Sequence, residues 1–400
     1  MTNTYQAATR VAFRILIVGL CCLGIRFSWQ FCYADYLAQQ DTGDSVRHAT
    51  EVVPDAWEYF IKLAALDPQH STDLLSKSLQ LNEYNAQADI ELGFEYEDEG
   101  KFEQGERYLL AAYEMDHTYV PRWSLTDFYF RRKNAPQFWA WARKSAEMPS
   151  EDIEGLFDLC WEVSPNPALI TSALLNDNPV MIRQYIWFLL GKNQPGEAAV
   201  VAPRLISLGK VETDRPQMLS VVDRLVASNK PVAANQLWHS LVERNWVTAD
   251  ATVPNNRRFA REPLPVKFDW SIPEYSGLHS WPGPSGLESE FTGVEPEDCT
   301  VAEQFLVLSP GKYTMSFTYR TSEIPPDTGL TWEVVDESTN KILGESHYLS
   351  AESLRQSGIG FEVAAESSLL RLRLHYRRVL GTPRISGKLV VESTEVQKIP

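Results

Sequence analysis

The spacing of apolar residues changes near residue 250, and this change constrains the fold more than any other feature of the chain. Downstream, GKYTMSFTYRT (311–321) sets Tyr313, Met315, Phe317 and Tyr319 against Lys312, Thr314, Ser316, Thr318 and Arg320. A two-residue alternation of this kind marks a strand with one buried face. LLRLRLHYR (369–377) repeats it, with Leu370, Leu372, Leu374 and Tyr376 opposite Arg371, Arg373, His375 and Arg377. Further short strands are predicted at LESEFTG, EQFLVLS, LTWEVVD, KILGES, GIGFEVA and GKLVVEST, divided by turn signals such as Ser309-Pro310-Gly311. About eight half-buried strands with no helix between them predict a two-sheet antiparallel sandwich. Upstream, apolar residues recur at helical spacing. Between the two textures lies a linker rich in Pro and Asn, with Pro254, Pro263 and Pro265. At 400 residues the chain exceeds one hydrophobic core. The predicted class is multidomain, α then β, with residues 1–48 as an N-terminal membrane or signal segment and linker, 49–249 as an α-solenoid and 250–400 as a β-sandwich.

The helical part is built of hairpins. In AQADIELGFEYEDEGKFEQGERYLLAAYEMD (86–116), Ile90, Leu92 and Tyr96 lie near one helix face, Gly100 is the stop, and Phe102, Arg107, Tyr108, Ala111 and Ala112 are spaced to pack back. Counting about 34 residues back from Ala112 reaches Ser78 in LLSKSLQLNEYNA, and forward reaches Ala146 in FWAWARKSAEMP, which Pro149 closes. Leu92, Gly93, Tyr96, Gly100, Phe102 and Ala112 fall where a tetratricopeptide repeat has its characteristic residues, and the hairpin resembles that repeat. It departs from the pattern at Gly105, where the repeat has Ala, and at His117, where it has Pro. Two later hairpins, 181–209 and 218–246, have short polar turns before Ala-rich helices. The resemblance implies a solenoid of roughly five or six hairpins between about residues 50 and 246.

Residues 11–34, VAFRILIVGLCCLGIRFSWQFCYA, hold an uncharged apolar run from Ile15 to Ile25. An uncleaved membrane helix fits if Arg14 and Arg26 reach the two interfaces and Phe27, Trp29, Phe31 and Tyr33 form an interfacial belt. A cleaved signal peptide, with Cys32-Tyr33-Ala34 as its cleavage site, and a soluble amphipathic helix are the alternatives. Arg10 and Arg14 precede the run and Asp35, Asp41 and Asp44 follow it, which places the N-terminus in the cytoplasm and the body outside. Of the five cysteines only Cys160 and Cys299 lie in the folded parts, in different elements, and they are expected to be unpaired.

From NNRRF and FDW through FTG, LSPGKYTMSFTYRT, GLTWEVVD, RLRLHYRR and ISGKLVVES, residues 255–395 resemble the carbohydrate-binding-module type of jelly roll that follows helical repeats in certain bacterial membrane-anchored proteins. The resemblance implies a place in exopolysaccharide or O-antigen assembly. Related jelly rolls often carry an Asp of a structural calcium site in the last strand, where this chain reads Val390-Val391-Glu392-Ser393.

Sequences of the metalloprotease, nucleophile-elbow, P-loop and dinucleotide-binding types are absent, the seven histidines are scattered, and the acidic run EYEDEGKFE reads as a solvated turn. No catalytic residue, cofactor or metal is assigned. A hydrolase whose carboxylates meet only in space is the least favoured reading. The net charge of −16 argues against nucleic acid. Two binding surfaces are expected instead. Stacked hairpins expose a concave face for a protein partner, and Tyr119, Trp123, Tyr129, Trp139 and Trp141 crowd one hairpin beyond what its core needs. Sugar recognition calls for exposed rings flanked by donors, for which Trp270, Tyr275, Trp281, Trp332, Arg320 and Arg373 are the candidates. Against this, Trp332 alternates with Leu330 and Val334 as a core residue would. The row of Arg371, Arg373 and Arg377 is either a solvated sheet face or a site for an anionic glycan.

Overall fold

The computed structural model describes residues 2–148, 153–175, 177–250, 252–365 and 369–399, with side chains from Arg14 onward. Pro149 and the side chain of Arg10 lie outside the described residues. The chain forms two compact units, Met1–Leu175 and Asn176–Pro400.

The first unit is helical: α1 (Thr2–Ala38), α2 (Gly43–Val52), α3 (Trp57–Leu66), α4 (Ser71–Leu81), α5 (Ala86–Asp98), α6 (Phe102–Met115), α7 (Tyr119–Arg131), α8 (Ala135–Ala146), α9 (Glu154–Val163) and α10 (Pro167–Leu174). Consecutive helices pair as hairpins, and each hairpin from α1–α2 to α7–α8 packs on the next. The sequence sets the helix ends. Asn85, Asn134 and Asn166 cap α5, α8 and α10 by accepting from backbone N–H groups of the first turn. Gly100, at φ +78°, takes the left-handed turn that ends the α5 hairpin arm. The periodic positions Ser78, Ala112 and Ala146 are all buried, where a small side chain lets neighbouring helices approach.

Gly105 explains one departure from the repeat pattern. A Cβ there would sit 2.7 Å from the carbonyl oxygen of Gly93, and one at Gly93 would sit 2.6 Å from Leu109 Cγ. Helices α5 and α6 therefore cross backbone to backbone, closer than the usual Ala allows.

Helix α1 does not end in a linker. Its last turns supply Ala34, Leu37 and Ala38 to a buried cluster with Ala49, Val53 and Tyr59, and the Tyr59 hydroxyl donates to Asp35. Residue 48 lies inside α2. The stretch Arg14–Ala38 is long and apolar enough to cross a membrane, and Ile15, Leu20, Ile25, Phe27 and Trp29 are exposed along it.

The second unit begins with α11 (Pro179–Gly191), α12 (Pro195–Leu208), α13 (Val211–Ala227) and α14 (Pro231–Glu243). Proline opens α11, α12 and α14, where a missing N–H costs nothing. Nine strands follow: β1 (Leu278–Gly283), β2 (Gly286–Thr292), β3 (Asp298–Leu306), β4 (Gly311–Ser322), β5 (Leu330–Asp336), β6 (Lys341–Glu345), β7 (Arg355–Val363), β8 (Leu370–Arg377) and β9 (Ser386–Lys398). They form antiparallel sheets in the orders β1-β2-β9-β4-β7 and β3-β8-β5-β6. Without β1 this is the two-Greek-key jelly roll. Strand β1 was not legible in the sequence because it carries Pro282, which is tolerated at the sheet edge where β1 lies.

The alternating residues face as their period requires. Tyr313, Met315, Phe317 and Tyr319 meet Leu370, Leu372, Leu374 and Tyr376 in the core. The entry segment is tied down at both ends: Ser271 bridges Glu303 at the β3 edge, Asp223 of α13 accepts from Lys267 N at 2.8 Å, and Trp238 of α14 meets Phe268 edge-on. All five cysteines are free, with Cys160 and Cys299 buried.

Two outcomes follow from the α5–α6 hairpin. Gly105→Ala is expected to destabilise by about 1–3 kcal/mol in denaturant unfolding, because a backbone carbonyl cannot step aside. Asp89, 4 % exposed, has its carboxyl pushed up to about 6 by burial. A folded-state value above the unfolded one means that stability falls as pH rises from about 4 to about 6. Asp89→Asn is therefore expected to raise the melting temperature at pH 7.5 and to flatten its fall over that pH window.

Candidate functional site

The aromatic hairpin α7–α8 splits into interior and surface. Tyr129 is buried, its hydroxyl donating to Glu106 Oε1 at 2.5 Å, and burial together with that bond pushes the phenol up. Trp141 is also buried, edge-on to Tyr113 at 4.8 Å and covered by Lys144 Nζ at 3.8 Å from its ring. These two rings serve packing. Tyr119 and Trp123, one turn apart on α7, are half-exposed and stacked at 6.2 Å, and Trp139 is half-exposed on α8. Helical spacing places Tyr119 and Trp123 on one face.

The six sugar-binding candidates separate in the same way. Trp332 is fully buried between Phe317 and Trp270. Trp270 is 2 % exposed, stacks near Phe259, and donates from Nε1 to the Asn256 carbonyl at 3.2 Å. Both tryptophans belong to the core of the sandwich. Tyr275, half-buried, packs on the core and bridges Leu278.

Arg373 belongs to a row that is already compensated. Its Nε donates to Glu333 Oε2 at 2.9 Å, Arg371 pairs with Glu303 and Glu337 at 3.5 and 3.2 Å, and Arg377 pairs with Asp298 at 3.0 Å. Glu333 is buried and depends on Arg373 for its charge. His375 lies in the same row, 3.0 Å from Asp298, and burial and then Arg373 hold it below the usual histidine range. The outer face of this sheet is an ion-pair ladder closed on itself.

Trp281 and Arg320 are different. Register places Trp281 opposite Glu288, Glu288 opposite Val390, and Val390 opposite Arg320, so one row crosses β1, β2, β9 and β4 on the outer face of the five-stranded sheet. Three strand spacings make this about 14 Å, the reach of two to three sugar rings. Trp281 is 41 % exposed, and Arg320 is exposed with no ion pair among the described residues. The next row holds His279, Glu290, Lys388 and Ser322, with Lys388 and Glu290 at 3.7 Å. Beyond Arg320 the face flattens: Thr314, Ser316 and Thr318 of β4 lie beside Gly360, Gly358 and Gln356 of β7. A ring at one edge, a guanidinium in the middle and a floor of hydroxyls and glycines can stack on a pyranose and hydrogen-bond its rim. Sequence reading missed Glu288, Lys388 and the glycine pair, since only strand register brings them to this face. Among the described residues no group of three or more His, Cys, Asp or Glu is arranged to hold a metal.

No family model and no curated protein matches the chain. Among solved structures, the chain is similar to a CBM4 structure at 14 % identity, over 36 % of this chain and 99 % of that one, with a TM-score of 0.29. It is similar to PilF of Pseudomonas aeruginosa at 14 % identity, over 54 % and 92 %, with a TM-score of 0.28. PilW, a type IV pilus biogenesis factor, aligns at 11 % identity over 54 % and 92 %, with a TM-score of 0.27.

The two tryptophan environments separate stability from surface chemistry. Trp332→Ala is expected to cost about 3–5 kcal/mol in denaturant unfolding, whereas Trp281→Ala should stay within about 0.5 kcal/mol of the parent.

Proposed function

We propose that the chain is a noncatalytic adaptor, anchored in a bacterial inner membrane by α1 as a single uncleaved span. Its body lies in the periplasm, and its solenoid holds a protein partner during assembly or export of a cell-surface polysaccharide. The observation that carries the reading is the junction of α1 with α2 and α3. Because Ala34, Leu37 and Ala38 are core residues of the first helices, cleavage after Ala34 would remove Ala34 and leave Leu37 and Ala38 on a newly made chain end in place of a continuous helix. An anchor built into the solenoid suits a scaffold that must hold its partner at the bilayer. Half-exposed Tyr119, Trp123 and Trp139 are the proposed partner contacts. Residues 49–249 and 250–400 are the proposed division of labour between protein and glycan recognition.

The outer face of the five-stranded sheet favours a second reading, in which the jelly roll captures the polysaccharide through Trp281 and Arg320. The unpaired Arg320 favours a glycan that carries acidic groups.

A reporter fused after residue 50 is expected to act as periplasmic, and the purified protein to retain the mass of the full span. Cytoplasmic reporter activity, or a mature protein beginning near Asp35, would overturn the anchor. For the second reading, Trp281→Ala and Arg320→Ala in the full chain should each weaken retention on immobilised surface polysaccharide by roughly tenfold with melting temperature unchanged. Retention equal to the parent would remove the jelly roll from the binding.

A further inference from the structure

Helices α3 and α5, with Leu75 of α4, line a groove of about 350 Å³. Buried Ile61, Ala64 and Leu75 form its floor and half-exposed Trp57 one wall. Glu58, Glu91 and Glu95 line it from the two helices. The single cation of the lining, Lys62, is held by Asp41 at 2.6 Å. The three glutamates have no lysine or arginine at ion-pair distance among the described residues. Glu91 and Glu95 stand one helical turn apart, a like-charge spacing that disfavours the helix carrying it. Burial, with the charge of Glu95 added, pushes the Glu91 carboxyl above its usual range.

Glu58 and Glu91 are exposed and Glu95 is half-exposed, and three carboxylates that the fold buries are paired instead. Glu97 is joined by Arg131, Asp214 by Arg183 and Glu333 by Arg373. An apolar floor edged by three unpaired carboxylates is complementary to one chemistry: a segment with apolar residues on one face and cations along its flanks. An acidic segment or an acidic polysaccharide would bring like charge against all three glutamates. We infer that the α3–α5 groove docks a cationic amphipathic segment of a partner protein, with its apolar side chains on Ile61, Ala64 and Leu75 and its lysines or arginines against Glu58, Glu91 and Glu95. The inference rests on the reading of the solenoid as protein-binding and adds the place and the chemistry. Since α3 is bonded to α1 through Tyr59 and Asp35, the docked segment lies one helix away from the anchor, so the partner is engaged close to the membrane.

The test uses the full chain in neutral detergent and two fluorescein-labelled amphipathic peptides of about 18 residues, one of Leu, Ala and Lys and the other with Glu for Lys. Anisotropy is expected to show the Lys peptide binding at least roughly tenfold more tightly than the Glu peptide. The triple variant Glu58→Gln, Glu91→Gln, Glu95→Gln should lose that preference. It removes repulsion and leaves the packing alone, so it should fold. A control variant, Asp98→Asn, Glu99→Gln, Glu103→Gln, removes equal charge from the α5–α6 turn and should keep the preference. Equal losses in the two variants, or no preference in the parent, would overturn the groove. Photo-cross-linking separates this from the broader reading. Capture of the Lys peptide from benzoylphenylalanine at position 87 supports the groove. Capture from position 119 and not from 87 overturns the groove and leaves the solenoid a protein-binding surface, and capture from neither overturns both.

Discussion

Three small contacts at the foot of α1 carry the architecture. Ala34, Leu37 and Ala38 close the first hydrophobic cluster of the solenoid, and Asp35 accepts from Tyr59 of α3 inside it. A membrane helix followed by a flexible linker would leave the body free to tumble. Here the helix that carries the exposed apolar surface from Ile15 to Phe31 is also the first wall of the helical stack, so its direction fixes that of α2 and α3. Within the first unit each later hairpin inherits its position from the one before it, because the repeat units of a solenoid contact only their neighbours. Small residues at Ser78, Ala112 and Ala146, and the bare backbone at Gly93 and Gly105, keep that inheritance tight.

What the sequence made legible follows from how local each signal is. Period two assigned the faces of β4 and β8 correctly, residue by residue, because alternation is a property of a single strand. The helical hairpins were readable for the same reason, from apolar residues at helical spacing, short polar turns and Gly100. Neighbour relations were less accessible. The arginines of β8 looked like a free cationic row, yet antiparallel register sets Glu303 and Glu333 directly across from Arg373 and consumes it. Trp270 sits in a Pro-rich segment that reads as exposed loop. It is buried because that segment lies along β3 as an added edge and folds its indole onto Phe259 and Trp332. Tyr129 and Trp141 were indistinguishable in the sequence from Trp123 and Trp139, since an aromatic-rich hairpin states how many rings it has and not which are enclosed by the next helix.

The strong net negative charge has different consequences in different places. In the four-stranded sheet acidic and basic residues alternate across strands and neutralise each other, at the cost of desolvating Glu333 and His375. A ligand on that surface would have to break existing ion pairs before making its own. On the five-stranded sheet Arg320 stands without an ion pair among the described residues, in the same cross-strand row as Trp281, and between α3 and α5 the unpaired groups are carboxylates. The proposed sheet surface thus carries Arg320 and, between it and the edge residue Trp281, Glu288, whereas the groove sets carboxylates around an apolar floor.

That difference bears on how, under the proposed function, the chain would distinguish two kinds of partner. An acidic polymer drawn to Arg320 is repelled by Glu58, Glu91 and Glu95, and a cationic protein segment drawn to those glutamates gains nothing from Arg320. Under the proposed readings an acidic polymer is disfavoured at the α3–α5 groove without any conformational switch. At ionic strengths where the screening length is about 8 Å, this discrimination acts only at contact range, so the apolar elements must supply the remaining affinity. Trp281 on the sheet and Ile61 with Leu75 in the groove are placed to do so. Selectivity then resides in the unpaired charges and affinity in the buried or stacking surface, two properties that single substitutions can separate.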